Sequence, residues 1–131
     1  MDVSQQVQRV MERIRRAALA AGREPGEITL CAATKVQTDE TIRAAIAAGV
    51  RVCGENRVQE LAAHLAADAY AGAEQVHFIG HLQTNKVKQV VGKVDLIQSV
   101  GSAHLLQAIQ NQADKQGIIQ DILLEVNIGQ E

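Results

Sequence analysis

The sequence predicts an α/β protein, the first half of a (β/α)8 barrel of the TIM type, and three observations predict it. Apolar runs of strand length alternate with helix-period segments after an opening helix. Each expected strand delivers a polar residue at its carboxyl end. The 131 residues stop soon after a fifth strand, whereas a closed eight-stranded barrel takes ~250.

The elements follow in order. Residues 3–21 carry Val3, Val7, Val10, Met11, Ile14 and Ala18 at three- and four-residue spacing, with arginines mostly on the other faces, which predicts an amphipathic helix stopped at Gly22. A loop holding the single proline leads to an apolar strand over 28–34. Thr38 caps the next helix, Asp39 and Glu40 suit its positive end, and Gly49 closes it. A strand over 50–54 precedes a helix with Val58, Leu61, Ala62 and Leu65 on one side, closing near Gly72. The pattern then repeats as a strand (75–80), a short helix (84–92), a strand (95–100), a helix from Ser102 to Gln116, and a strand (121–128). Five strands alternate with four helices, and parallel neighbours joined by helical crossovers are the arrangement such alternation requires.

A doubly wound sheet meets the same pattern. The polar residues favour the barrel. Lys35 follows the first strand, Glu55 and Asn56 the second, Gly80 and His81 the third; Ser99 lies near the end of the fourth and Asn127 near the end of the fifth. In a barrel those ends meet at one mouth, whereas an open sheet gathers ligand groups at one switch point. The first helix is expected outside the barrel or across its bottom. If nothing follows residue 131, the first and fifth strands present open edges, and self-association through them is expected.

Composition narrows the function. With 47% hydrophobic residues, the chain has material for one globular domain, 1–131. A net charge of −2 argues against a nucleic-acid or anionic-membrane partner. No apolar run approaches the ~20 residues that span a bilayer, and the amino terminus lacks a secretory apolar stretch, so a cytoplasmic protein is expected. Cys31 and Cys53 lie in apolar runs and read as small buried hydrophobes.

Lys35 ends an apolar run abruptly. A lysine at the rim of an apolar interior is pushed towards its free amine, the form that attacks a carbonyl to make a Schiff base. The same position also suits a solvated rim residue. Glu55 and Asn56 also read as caps of the following helix, and His77, inside an apolar run, reads first as a core histidine with its hydrogen bonds satisfied.

The residue runs are more specific. AATKVQ, GENRVQE, HFIGHLQTNK, IQSV and LLEVNIGQE, in that order, resemble the amino-terminal half of the pyridoxal phosphate homeostasis protein family across essentially the whole chain. The resemblance implies a fold-type III barrel, like the amino-terminal domain of alanine racemase, that binds pyridoxal 5′-phosphate as a Schiff base on Lys35. It places Asn56 and His77 near the cofactor ring, and Ser99 and Asn127 along the same mouth. It also implies a carrier and regulator in vitamin B6 homeostasis, with no catalytic residue assigned. An amino-acid racemase-like enzyme, an aldolase using Lys35, and a half-barrel interaction module are the alternatives. The family's phosphate-binding segment belongs to later strands and has no counterpart here. The lysines 86 and 88 at a helix start read as solvated, and His81 and Arg57 depart from the residues common in relatives.

Overall fold

The structure, a computed structural model, describes residues 1–129. Five parallel strands form one sheet: β1 (Cys31–Ala33), β2 (Val52–Glu55), β3 (Gln75–Phe78), β4 (Leu96–Val100) and β5 (Asp121–Leu124), hydrogen-bonded in the order β1-β2-β3-β4-β5. The connections carry α2 (Asp39–Ala47), α3 (Val58–Ala66), a 3-10 helix (Thr84–Gln89) and α4 (Ala103–Gln116), while α1 (Val3–Ala20) precedes the first strand. Strand order that follows chain order decides between the two α/β arrangements. With right-handed crossovers, each connection without a reversal packs on the same face of the sheet, which is the barrel's winding.

The two faces differ in kind. Leu30, Ala32, Cys53, Val76, Phe78, Ile97 and Ile122 belong to the core under the helices, which closes over Ile42, Leu61, Val87, Val90, Leu105 and Ile109. Register partners share a side, so Cys31, Ala33, Val52, Gly54, Gln75, His77 and Leu96 occupy the opposite, inner face. At β1 and β2 that face is built from small residues. A methyl group on Gly54 would meet Cys31 Sγ and the Ile79 side chain, each at 2.9 Å. Cys53 is buried and Cys31 partly so; burial pushes both thiols up, Cys53 to about 11, as expected of packing cysteines.

Element types match the expectations, and several boundaries move. The first strand spans 31–33 rather than 28–34, because Ile28 caps a 3-10 turn at Pro25–Glu27. The last stops at Leu124 rather than 128. The short helix over 84–92 is a 3-10 helix ending at Gln89, and α3 ends at Ala66, short of Gly72. Strand-like backbone bonds continue past the ends: Thr34 N–H donates to Gly54 O, Ile79 N–H to Glu55 O and Glu125 N–H to Val100 O, each at 2.9 Å.

Caps set the helices as their sequences dictate. Thr38 accepts from Thr41 N–H, Ser102 from Leu105 N–H, and Gly117, at φ 67°, closes α4 in the left-handed conformation. Asp2 and Gln5 form a capping box on α1. That helix packs on α2 and the Pro25–Glu27 turn, with Met11 against Gly49 and Gln8 donating to Ala48 O. It therefore lies at the amino ends of the strands, across the bottom, as expected.

Candidate functional site

The carboxyl ends of the strands define the opposite edge. A cleft of about 1040 Å³ opens there, lined among others by His81, Gln83, Ser99, Ser102, Glu125 and Asn127. Ser99 is buried and its hydroxyl donates to Gly80 O at 2.6 Å. A register irregularity between Ile97 and Val100 places Val100 opposite Leu124 and in the core, and leaves Ser99 to this rim. Asn127 is exposed on the far side of the cleft. The structure thus brings Ser99 and Asn127 to one opening.

Asn56 adjoins them through Gly80. A methyl group on Gly80 would overlap the Asn56 carbonyl oxygen, so the two loops touch backbone to backbone and glycine is required. The Asn56 side-chain oxygen Oδ1 is buried without a hydrogen-bond partner among the described residues. A buried acceptor left unpaired costs free energy unless something else supplies a donor. Asn56 does not cap α3, contrary to the alternative its position allowed. Arg57 holds that place, without a side-chain cap bond.

His77 is buried on the inner face between two glutamines. Its Nε2 lies 2.7 Å from Gln75 Oε1, and Gln98 Nε2 lies 2.8 Å from its Nδ1. The acceptor on one side and the amide donor on the other fit the neutral ring protonated at Nε2. Burial pushes its pKa down, opposed by the charge of Asp95. Both nitrogens are committed, so His77 can pack beside a ligand while its hydrogen bonds stay inside the sheet.

Lys35 departs from the premise of its sequence reading. It stands beyond β1 in the turn Thr34–Gln37, closed by Gln37 N–H donating to Thr34 O at 3.3 Å, and it is exposed. The described residues do not bury it in an apolar rim, because β1 ends two residues earlier and its outer edge carries no neighbour among them. The next residue, Val36, has φ 53° and is 80% exposed.

Sequence reasoning missed the polar cluster beside this turn. Glu55 is fully buried, and its Oε2 accepts from Thr34 Oγ1 at 2.8 Å and Tyr70 OH at 2.7 Å, with His64 Nδ1 at 2.9 Å. His64 Nε2 lies 3.1 Å from Gln37 O. Both of these partners, a carboxylate oxygen and a carbonyl oxygen, are hydrogen-bond acceptors. Burial, then the bond to Glu55, drives the Tyr70 hydroxyl well above the usual phenol range, so it stays a donor. The signal was present as Val58, Leu61 and His64 at three-residue spacing. The buried stripe of α3 runs through Leu61 and His64 and leaves Ala62 and Leu65 exposed.

Among the described residues, no His, Cys, Asp and Glu group could hold a metal ion, and no helix is long and apolar enough to cross a membrane. No family model matches the chain. It is 44% identical over its full length to the pyridoxal phosphate homeostasis protein of Aquifex aeolicus, covering 57% of that protein. It is 33% identical to the Escherichia coli protein of the same name, with 99% of this chain and 56% of that one aligned. A crystal structure of an unknown protein from Bifidobacterium adolescentis is 42% identical, with a TM-score of 0.83 over 92% of this chain and 53% of that one. PipY of Synechococcus elongatus, solved with and without PLP bound, is 34% identical, with a TM-score of 0.74 over 88% of this chain and 54% of its own. The chain spans about half the length of the curated relatives it matches. In sequence the chain is similar to about half the length of proteins named pyridoxal phosphate homeostasis protein, and in fold to about half of PipY.

Proposed function

We propose that this chain binds pyridoxal 5′-phosphate and serves its homeostasis in the cytoplasm, with Lys35 as the residue that bonds the cofactor covalently. The observation that carries the reading is its full-length similarity to proteins named for that role, together with a structural neighbour solved with PLP bound. The residues present fit such a group. The Asn56 amide oxygen is buried without a partner among the described residues, and an amide can turn its oxygen or its NH2 to a ring substituent without adding charge. Ser99 and Asn127 stand on the cleft at the strand ends, and His77 offers a neutral ring face.

When bound, the cofactor supplies an aldehyde carbon open to an amine. Lys35 would supply the amine that holds the cofactor there. Among the five residues assigned to the site, no acid or base is free to move a proton at the mouth: Lys35 is taken by the covalent bond and both His77 nitrogens are engaged. We therefore read the protein as a carrier of the cofactor rather than a catalyst.

Titration of the chain with pyridoxal 5′-phosphate, followed by borohydride reduction and peptide mapping, tests this. The expected result is a new visible absorbance band and a single reduced adduct on Lys35. Lys35→Ala should lose the adduct and keep its unfolding midpoint, since an exposed side chain contributes within about 0.5 kcal/mol. A folded sample without adduct, or an equal yield from Lys35→Ala, overturns the assignment.

A second reading concerns assembly. Leu123, Leu124, Val126 and Ile128 are 50%, 66%, 72% and 91% exposed on and after β5. Such an apolar edge favours self-association, which sedimentation across a concentration series would detect.

A further inference from the structure

The turn that carries Lys35 is held in place by residues that reach it from one neighbouring unit, and it adopts a conformation its own sequence disfavours. Val36 sits in the left-handed region, where a β-branched side chain crowds the backbone. Its side chain is 80% exposed, so packing of that side chain contributes little to offset the strain. What holds the turn is polar and comes from β2 and α3. Glu60, half-buried on α3, accepts from the Val36 N–H at 2.6 Å. Glu55 accepts from the Thr34 hydroxyl at 2.8 Å, and His64 meets the Gln37 carbonyl at 3.1 Å. These contacts bracket Lys35 on both sides, at Thr34 before it and at Val36 and Gln37 after it.

We propose that Glu55, Glu60 and His64 are positioning residues for Lys35, a clamp that imposes the strained turn and so fixes where the lysine amine stands. The proposal rests on the reading of Lys35 as the cofactor-bonding residue. Strain at a residue beside a reactive group persists only where the surroundings over-determine it, and here the surroundings are two carboxylates and an imidazole. The clamp also assigns a purpose to a fully buried carboxylate that otherwise sits unexplained within a helix-packing layer.

The test uses Glu60→Ala, which removes an acceptor from a half-exposed site and leaves the buried network intact. Two readouts are taken on the 131-residue chain: hydrogen exchange at the Val36 amide without cofactor, and the rate of borohydride-trapped adduct formation on Lys35 with pyridoxal 5′-phosphate. Loss of a hydrogen bond to a charged acceptor should speed Val36 exchange about tenfold or more. Adduct formation should slow several-fold. Val36→Gly, which tolerates the left-handed conformation, should restore much of the adduct rate in the Glu60→Ala background. A purely structural role for Glu60 would not give that rescue. Unchanged Val36 exchange in Glu60→Ala overturns the clamp whatever the cofactor does. Faster exchange with an unchanged adduct rate overturns the positioning role. A wild-type chain that forms no adduct on Lys35 sinks the binding assignment itself, and is recognised as that failure because the exchange readout needs no cofactor.

Discussion

The middle of the sheet and its first strand solve opposite problems. β2, β3 and β4 have a hydrogen-bonded neighbour on each side and helices over one face, and they hold Cys53, Phe78 and Ile97 at 1%, 0% and 0% exposure. β1 is three residues long, pairs on one side only among the described residues, and passes straight into an exposed turn. Stability therefore resides in the centre, whereas the lysine of interest stands at an edge. Order at that edge is borrowed from the centre through Glu55 and its neighbours. The lesson is that a turn at the end of a weakly packed strand can be ordered by a buried polar group that reaches out from the centre.

The difference can be broken or sharpened by mutation. Phe78→Ala should cost about 3–5 kcal/mol in chemical denaturation, since a fully buried aromatic leaves a cavity at the heart of the core. An effect below about 1 kcal/mol would remove the distinction between centre and edge. Tyr70→Phe deletes one donor to the Glu55 carboxylate and should cost about 1.5–3 kcal/mol, with faster exchange of amides in the Thr34–Gln37 turn as the sign that the loss reaches the edge. Leu124→Ala, at a 66% exposed position on β5, should change stability by within about 0.5 kcal/mol.

The smallest effect is a pH dependence from His77. Burial depresses its folded pKa, so below the ordinary histidine pKa the unfolded chain binds a proton that the folded chain resists. Stability from this residue is complete above the ordinary pKa and is lost as pH falls from there towards the depressed value. Denaturation midpoints measured across that window should decline, and His77→Gln should flatten the decline.

Much of this fold was legible, and the reason is periodicity. Apolar runs of strand length, and helical segments bounded by Thr38, Ser102 and glycines, gave each element its type and place, because those signals are local. Strand ends were less legible. The bonds that decide them come from neighbouring strands, as where Ile28 joins a 3-10 turn instead of β1. Of the expected site residues, Ser99 and Asn127 share a cleft, Asn56 adjoins it through Gly80, His77 is locked between glutamines, and Lys35 is more exposed than its apolar run implied. The Thr34–Glu55–His64–Tyr70 cluster stayed hidden because polar residues read singly look like caps or surface. Only the fold brings residues 34, 55, 64 and 70 within reach of one oxygen.

The strand order has a consequence for how the chain folds. Every strand pairs with the next strand in the chain, with register partners about 20–25 residues apart, from Cys31 and Val52 through to Leu96 and Asp121. No pairing in the described sheet waits for a distant segment, so each loop closure carries a similar and modest entropic cost. Folding rates track such separations, and a chain of this kind can grow by adding one strand and its helix at a time, each new unit templated by the strand before it. Emerging from a ribosome, it can begin to settle before its last strand has been made.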